Sequence, residues 1–244
     1  MLLDLHAYTD LSGDDAIRDA IDDAKRRGID GICFADREHS AETAAAIADG
    51  DYDFPVFVGV EVSTRSGDAI ILTAELDPYL TREEWRELTS LQRPELAEVT
   101  QWAEARGGTV LLSHPYDRAR TTAPRDRLFA LSGLSGVEIG CDSSDATSNR
   151  VALESVARSD SPAFGGSARR RDASGTQWLT LFAGPIATQA ELIEAVKAGN
   201  FWAVEVSDKP FEARRRSPRP DRGDRRPRRD GGRRDGRRDR RPRR

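Results

Sequence analysis

Six short, mainly apolar runs in this 244-residue chain each end on polar residues whose types suit proton transfer, metal ligation or anion binding. His6 follows Leu2–Leu5, Asp36 and Arg37 follow Gly31–Phe34, and Glu61 follows Val56–Val60. Further on, His114 follows Thr109–Ser113, Cys141 and Asp142 follow Val137–Gly140, and Ser167–Arg170 follow Pro162–Gly166. In a parallel α/β fold the C-terminal ends of the strands meet on one face, where catalytic and ligand groups are found. Any one of these residues is equally an ordinary cap or loop group. As a set they are expected to share one mouth.

The elements that would position them alternate along the chain. Ser12 can cap a helix whose first turn holds Asp14 and Asp15, whose apolar residues Ile17, Ile21 and Ala24 recur at spacings of three and four, and which ends at Gly28. A strand at Gly31–Phe34 and a helix from Ser40 follow, then strands at Pro55–Val60 and Ala69–Thr73. Thr81 with Glu84 makes a capping-box pattern, and Pro94 stands where a first helical residue would. Strands at Thr109–Ser113, Val137–Gly140, Pro162–Phe164 and Trp178–Phe182 precede a last helix from Thr188 to Lys197, with Thr188 and Glu191 as its capping box. Strands alternating with helices of this length predict βα units with mainly parallel pairing. A closed or distorted barrel and an open doubly wound sheet both match that pattern.

Charge divides the chain. Residues 214–244 hold 17 Arg and 5 Asp, a formal charge of +12, which leaves −16 on residues 1–213 of a chain whose total is −4. From Arg214 on, only Arg, Asp, Gly, Pro and one Ser occur. Such a segment buries too little apolar surface to offset an ordering cost of about 1–2 kcal/mol per residue, so a disordered basic tail is expected over 209–244, after one domain over 1–208. Arginine doublets of this kind bind RNA, DNA or polyphosphate, and without interleaved aromatics they do so with little sequence selectivity. The acidic body is the competing partner for the tail. No apolar run reaches the ~18 residues of a membrane span, and the N-terminus lacks the form of a signal peptide. Cys33 and Cys141 do not make a disulfide framework, which predicts a reducing cytoplasm.

Five segments in order carry a resemblance. They are Asp4-Leu5-His6-Ala7-Tyr8-Thr9, Phe34-Ala35-Asp36-Arg37, Gly59-Val60-Glu61-Val62-Ser63, Ser113-His114-Pro115 and Gly166-Ser167-Ala168-Arg169-Arg170. Together with the closing Ala190–Gly199 helix, they resemble the motifs of the polymerase and histidinol phosphatase (PHP) family over residues 1–206. The resemblance implies a distorted barrel of about seven βα units. It also implies up to three metal ions at the strand ends, with Glu61 bridging two of them, His6 on one and His114 on the other.

The departures from the family pattern lie in the ligands. Tyr8, Arg37 and Arg170 stand where the family has His, Ala168 where it has Asp, and Gly13, beside Asp14, where another ligand is expected. A guanidinium has no lone pair to give a metal and repels a divalent cation, so the full cluster is expected not to form. Two readings follow. In the first the site is catalytically degenerate, and Arg37, Arg169 and Arg170 bind a phosphate-containing ligand without hydrolysing it. In the second His6, Glu61 and His114 hold one zinc, manganese or iron, Asp36 serves as general base, and phosphoesterase activity persists. His39 is a further recruit for that ion, or begins the helix at Ser40.

Overall fold

The computed structural model describes residues 1–9, 14–37, 40–74, 93–168 and 177–206. The apolar runs become strands β1 (Leu2–Ala7), β2 (Gly31–Phe34), β3 (Val56–Val58), β4 (Val60–Thr64), β5 (Gly67–Leu72), β6 (Thr109–Ser113), β7 (Gly136–Cys141), β8 (Ala163–Gly166), β9 (Gln177–Phe182) and β10 (Phe201–Val206). The helices are α1 (Asp14–Arg27), α2 (Ser40–Asp49), α3 (Leu96–Glu104), α4 (Ala146–Val156) and α5 (Gln189–Ala198), with one 3-10 turn at Arg125–Ala130. Local chemistry sets their limits. Gly28, at φ 72°, closes α1, with Ile29 N–H donating to Ala24 O at 3.0 Å. Thr188 and Glu191 form the capping box of α5, and Gly199 ends it at φ 68°. Pro94 is not the first helical residue. It precedes Glu95, which caps α3 in a box with Glu98.

The expected seven-unit barrel is replaced by two five-stranded mixed sheets, in the orders β10-β9-β1-β2-β3 and β4-β5-β6-β7-β8. Thr64 pairs with Gly67 across a two-residue turn, so β5 runs antiparallel to β4, and it is also antiparallel to β6. Similarly, β9 is antiparallel to β1 and β10. Parallel pairing is confined to β1-β2-β3 and β6-β7-β8. The sheets meet at two seams. Gly59 N–H donates to Phe34 O at 2.7 Å where β3 passes into β4, and Ala168 N–H donates to His6 O at 2.5 Å beyond the end of β8.

One apolar cluster lies between the sheets and joins Leu3, Leu5, Cys33 and Phe57 to Ile70, Leu72, Leu111 and Phe164. A second packs Ile17, Ile21 and Ala24 of α1, with Ala44 and Ile47 of α2, on Phe34, Val58 and Leu179. The third packs α3 and α4 on the far side of the other sheet. The site residues are thus backed by apolar packing on both sheets.

Candidate functional site

β1 and β2 run parallel, so their C-terminal ends lie side by side, and each carries a buried aspartate that organises the backbone there. Asp4 accepts from His6 N–H at 3.1 Å and Ser167 N–H at 3.0 Å. Asp36 accepts from Thr9 N–H at 2.9 Å and from the hydroxyls of Thr9 and Thr43 at 2.8 Å each. Burial raises the Asp4 carboxyl above its usual range despite these bonds.

Above them lies a buried cluster drawn from both sheets. The rings of His6 (β1) and His114 (after β6) have centroids 4.9 Å apart, and Glu138 of β7 reaches between them. His6 Nδ1 is 2.9 Å from Glu138 Oε1 and His114 Nδ1 is 3.3 Å from Glu138 Oε2. The opposite edges face Glu61 of β4, with His6 Nε2 3.7 Å and His114 Nε2 3.5 Å from Glu61 Oε1. The backbone of His114 is held at φ 48°, and its N–H donates to Glu138 Oε2 at 2.8 Å. A left-handed conformation at a side-chain-bearing residue costs on the order of 1–3 kcal/mol, and such strain collects at functional sites.

Glu61 is the hub of the polar network. Its Oε1 accepts from Ser113 Oγ at 2.8 Å, and its Oε2 accepts from Tyr8 Oη and Arg37 Nε at 2.6 Å each. Arg37 continues to Ser63 Oγ at 2.7 Å and Asp68 Oδ2 at 2.8 Å. A second guanidinium, Arg120, donates to the same Asp68 oxygen at 2.5 Å and stands 3.8 Å from Glu61 Oε1.

The charges follow from these contacts. Burial opposes ionisation of Glu61, but His6 and Arg37 outweigh it and hold the carboxylate well below its usual range. Burial likewise opposes a charge on Asp68, and Arg37 reverses the effect. For His6 burial works against the imidazolium, and the oxygens of Tyr8, Glu138 and Glu61 together raise its pKa well above the usual value. His114 goes the other way: burial dominates and keeps its ring neutral to lower pH.

No protein-family model matches the sequence, and no curated protein matches it. Solved structures do. PsfC from Pseudomonas syringae PB-5123 is 15% identical with a TM-score of 0.56, over 83% of this chain and 90% of that one. A protein from Bifidobacterium adolescentis assigned as a metal-dependent phosphoesterase is 15% identical with a TM-score of 0.51, over 80% and 95%. A two-domain protein from Bacteroides vulgatus, assigned a PHP-like metal-dependent phosphoesterase, is 14% identical with a TM-score of 0.52, over 84% of this chain and 64% of that one. This chain has the PHP-like fold.

Within that PHP-like fold the structure brings His6, Arg37, Glu61 and His114 together, but His6 lies inside β1 and Glu61 inside β4 rather than after a strand, because the expected strand Pro55–Val60 breaks at Gly59 into β3 and β4. Asp36 lies at the neighbouring strand end with both oxygens engaged by Thr9 and Thr43. Asp142 accepts from Trp178 N–H at 3.0 Å, and Cys141, whose thiol burial pushes up to about 12, contacts Ser143. His39, Arg169, Arg170 and the tail over 209–244 lie outside the described residues. Sequence reasoning missed Glu138, Asp68 and Arg120. Glu138 had a signal, a carboxylate between Val137 and Ile139 inside a buried strand, because a charge there must be paired. Asp68, the second residue of β5, stands beside the run Ala69–Leu72 in the same way. Arg120, in a connecting loop, had none.

Whether these residues suit a metal is tested by His114. Both of its ring nitrogens are buried and make no hydrogen bond. An unpaired buried polar group costs roughly 1–3 kcal/mol and calls for a partner. Ligand atoms on a tetrahedral ion with bonds of about 2.0–2.1 Å stand about 3.4 Å apart. The separations of 3.5 and 3.7 Å from Glu61 Oε1 to the two Nε2 atoms match that spacing. Glu61 Oε1 therefore stands at ligand spacing from each Nε2, while the group whose ligand atoms all lie within 4.8 Å of one another among the described residues is His6, His114 and Glu138. Glu61 Oε2 is committed to Tyr8 and Arg37.

Proposed function

We propose that this chain is a phosphoesterase-type hydrolase with a single-metal site, in which His6, His114 and Glu61 hold the ion and guanidinium groups take over the remaining positive charge. The unpaired, buried imidazole of His114 facing Glu61 Oε1 carries this reading. A bridging carboxylate needs both oxygens, and Glu61 offers one, so the site is reduced to one ion and the multinuclear cluster is lost. A divalent ion at this position supplies Lewis-acid polarisation of a phosphoryl oxygen and a lowered pKa for water. Arg37 and Arg120 orient the substrate. A guanidinium has five N–H groups, Arg37 commits three of them, and about a third of its side chain is exposed toward the solvent. Fork-shaped donors at the mouth suit phosphate oxygens. Asp36, buried and spoken for, acts by holding the Thr9 backbone beside Tyr8 rather than as a free base.

A second reading is supported by the same network. His6 as imidazolium, with Arg37 and Arg120, balances Glu61, Asp68 and Glu138, which suits a non-catalytic phosphate binder. Elemental analysis after loading with zinc, manganese or iron separates the two. One ion per chain, lost in His114→Ala, supports the hydrolase, and a content near zero leaves the binder. Buried, unpaired Cys33 and Cys141 suit a reducing compartment, and among the described residues no helix is long and apolar enough to cross a membrane.

A further inference from the structure

We infer that Glu138 is the positioning residue of this site: one carboxylate oxygen holds the His6 ring at Nδ1, the other holds the His114 backbone N–H beside that residue's Nδ1, and both Nε2 atoms are left facing Glu61. The consequence for metal binding rests on the single-metal reading above.

His6, His114 and Glu138 have ligand atoms within 4.8 Å of one another, so Glu138 is itself a candidate ligand. The contacts assign it otherwise. Its Oε1 is 2.9 Å from His6 Nδ1, a hydrogen-bond distance and shorter than the roughly 3.4 Å between two ligands of one tetrahedral ion. Its Oε2 already accepts from the His114 backbone N–H at 2.8 Å, which fixes the strained φ of 48° at that residue. The His114 Nδ1 contact, at 3.3 Å, makes no hydrogen bond in this geometry.

Glu138 is 1% exposed and sits in β7, which pairs with β8 at Glu138 and Phe164. With a proton on Nδ1, a neutral His114 turns its Nε2 lone pair toward Glu61 Oε1, an arrangement that a cation relieves, and His6 Nε2, in contact with Tyr8, gives up its proton when an ion binds. Carboxylates placed behind histidine ligands fix the tautomer and raise ligand basicity, and their loss typically weakens metal binding by about 10–100-fold.

The test combines chelator-competition zinc titrations with long-range 1H–15N spectra of the histidines. In Glu138→Gln an amide offers one acceptor and one donor where the carboxylate offers two acceptors, so one histidine N–H faces an N–H. Zinc affinity is expected to fall about 10–100-fold with the far-UV circular dichroism unchanged. In the zinc-loaded wild type both rings should carry their proton on Nδ1. Wild-type affinity in the variant, or a proton on Nε2 of either ring in the zinc-loaded protein, overturns the assignment. Should the wild type take up no zinc, the single-metal reading fails separately, and the neutral ring of His114 still decides: Nδ1–H retains the role of Glu138 and Nε2–H removes it.

Discussion

At the scale of single residues, the hydrogen bonds of Tyr8 fix the protonation of His6. A phenol has one proton, and Tyr8 gives it to Glu61 Oε2 at 2.6 Å. Its 2.9 Å contact with His6 Nε2 is therefore made by a proton on the imidazole. With Nδ1 donating to Glu138, His6 is an imidazolium, in agreement with its raised pKa. An ion entering between His6 Nε2 and Glu61 must displace that proton. Zinc affinity is accordingly expected to rise as pH rises through neutrality, with about one proton released per zinc. Calorimetric titration in two buffers of different ionisation enthalpy counts the protons, and zero release would mean that His6 is not a ligand.

At the scale of elements, the position of His6 depends on how closely β8 approaches β1. A Cβ on Gly166 would lie 2.3 Å from His6 Cβ and 2.9 Å from its backbone nitrogen. The obstacle is backbone and the stem of a buried ring, neither of which can swing aside. Gly166→Ala is expected to lower stability by about 1–3 kcal/mol, as overpacking does, and to weaken zinc binding by displacing His6. Urea unfolding and zinc competition on the same variant check both. Unchanged values would show that the seam between the sheets is looser than the geometry implies. Gly28, closing α1 with no atom within 4 Å of its Cβ position, is the control, since there the cost comes from positive φ alone and zinc affinity should hold.

At the scale of the whole molecule, the two buried histidines give stability opposite pH slopes. His6 has a raised folded pKa, so its contribution is complete below the ordinary value of 6.5 and is lost as pH climbs through the folded value. The folded pKa of His114 is lowered, so its contribution is complete above 6.5 and is lost as pH falls below that. Glu61 and Asp68, both depressed, add a further loss below about pH 4.5. Chelator-treated protein should show its highest Tm near pH 6.5, with each limb approaching about 1.4 kcal/mol per pH unit where one proton is exchanged. A Tm still rising from pH 7 to 9 would contradict the raised pKa of His6. The charge contrast between residues 1–213 at −16 and 214–244 at +12 makes a separate prediction. A polynucleotide-binding role for the tail predicts binding by the full chain that falls steeply with salt and is abolished by removing Arg214–Arg244. Retained binding by the shortened chain would place the nucleic-acid surface in the body.

The sequence alone determined the strand runs, the helix caps at Gly28 and Thr188, and the clustering of His6, Arg37, Glu61 and His114. Those features follow from hydrophobic period, capping chemistry and motif order, all of which are local. It did not reveal α4 or β10, nor the division into two sheets, which falls between β3 and β4, two strands consecutive in sequence, and between β8 and β1. Only the tertiary structure decided what the site residues touch. The contacts of Arg37 with Glu61 and Asp68 are an example. Glu138 and Arg120 entered because strands distant in sequence place them beside Glu61 and the two imidazoles. Pairing of buried charge depends on three-dimensional separations of a few ångströms, which spacing along a chain does not encode.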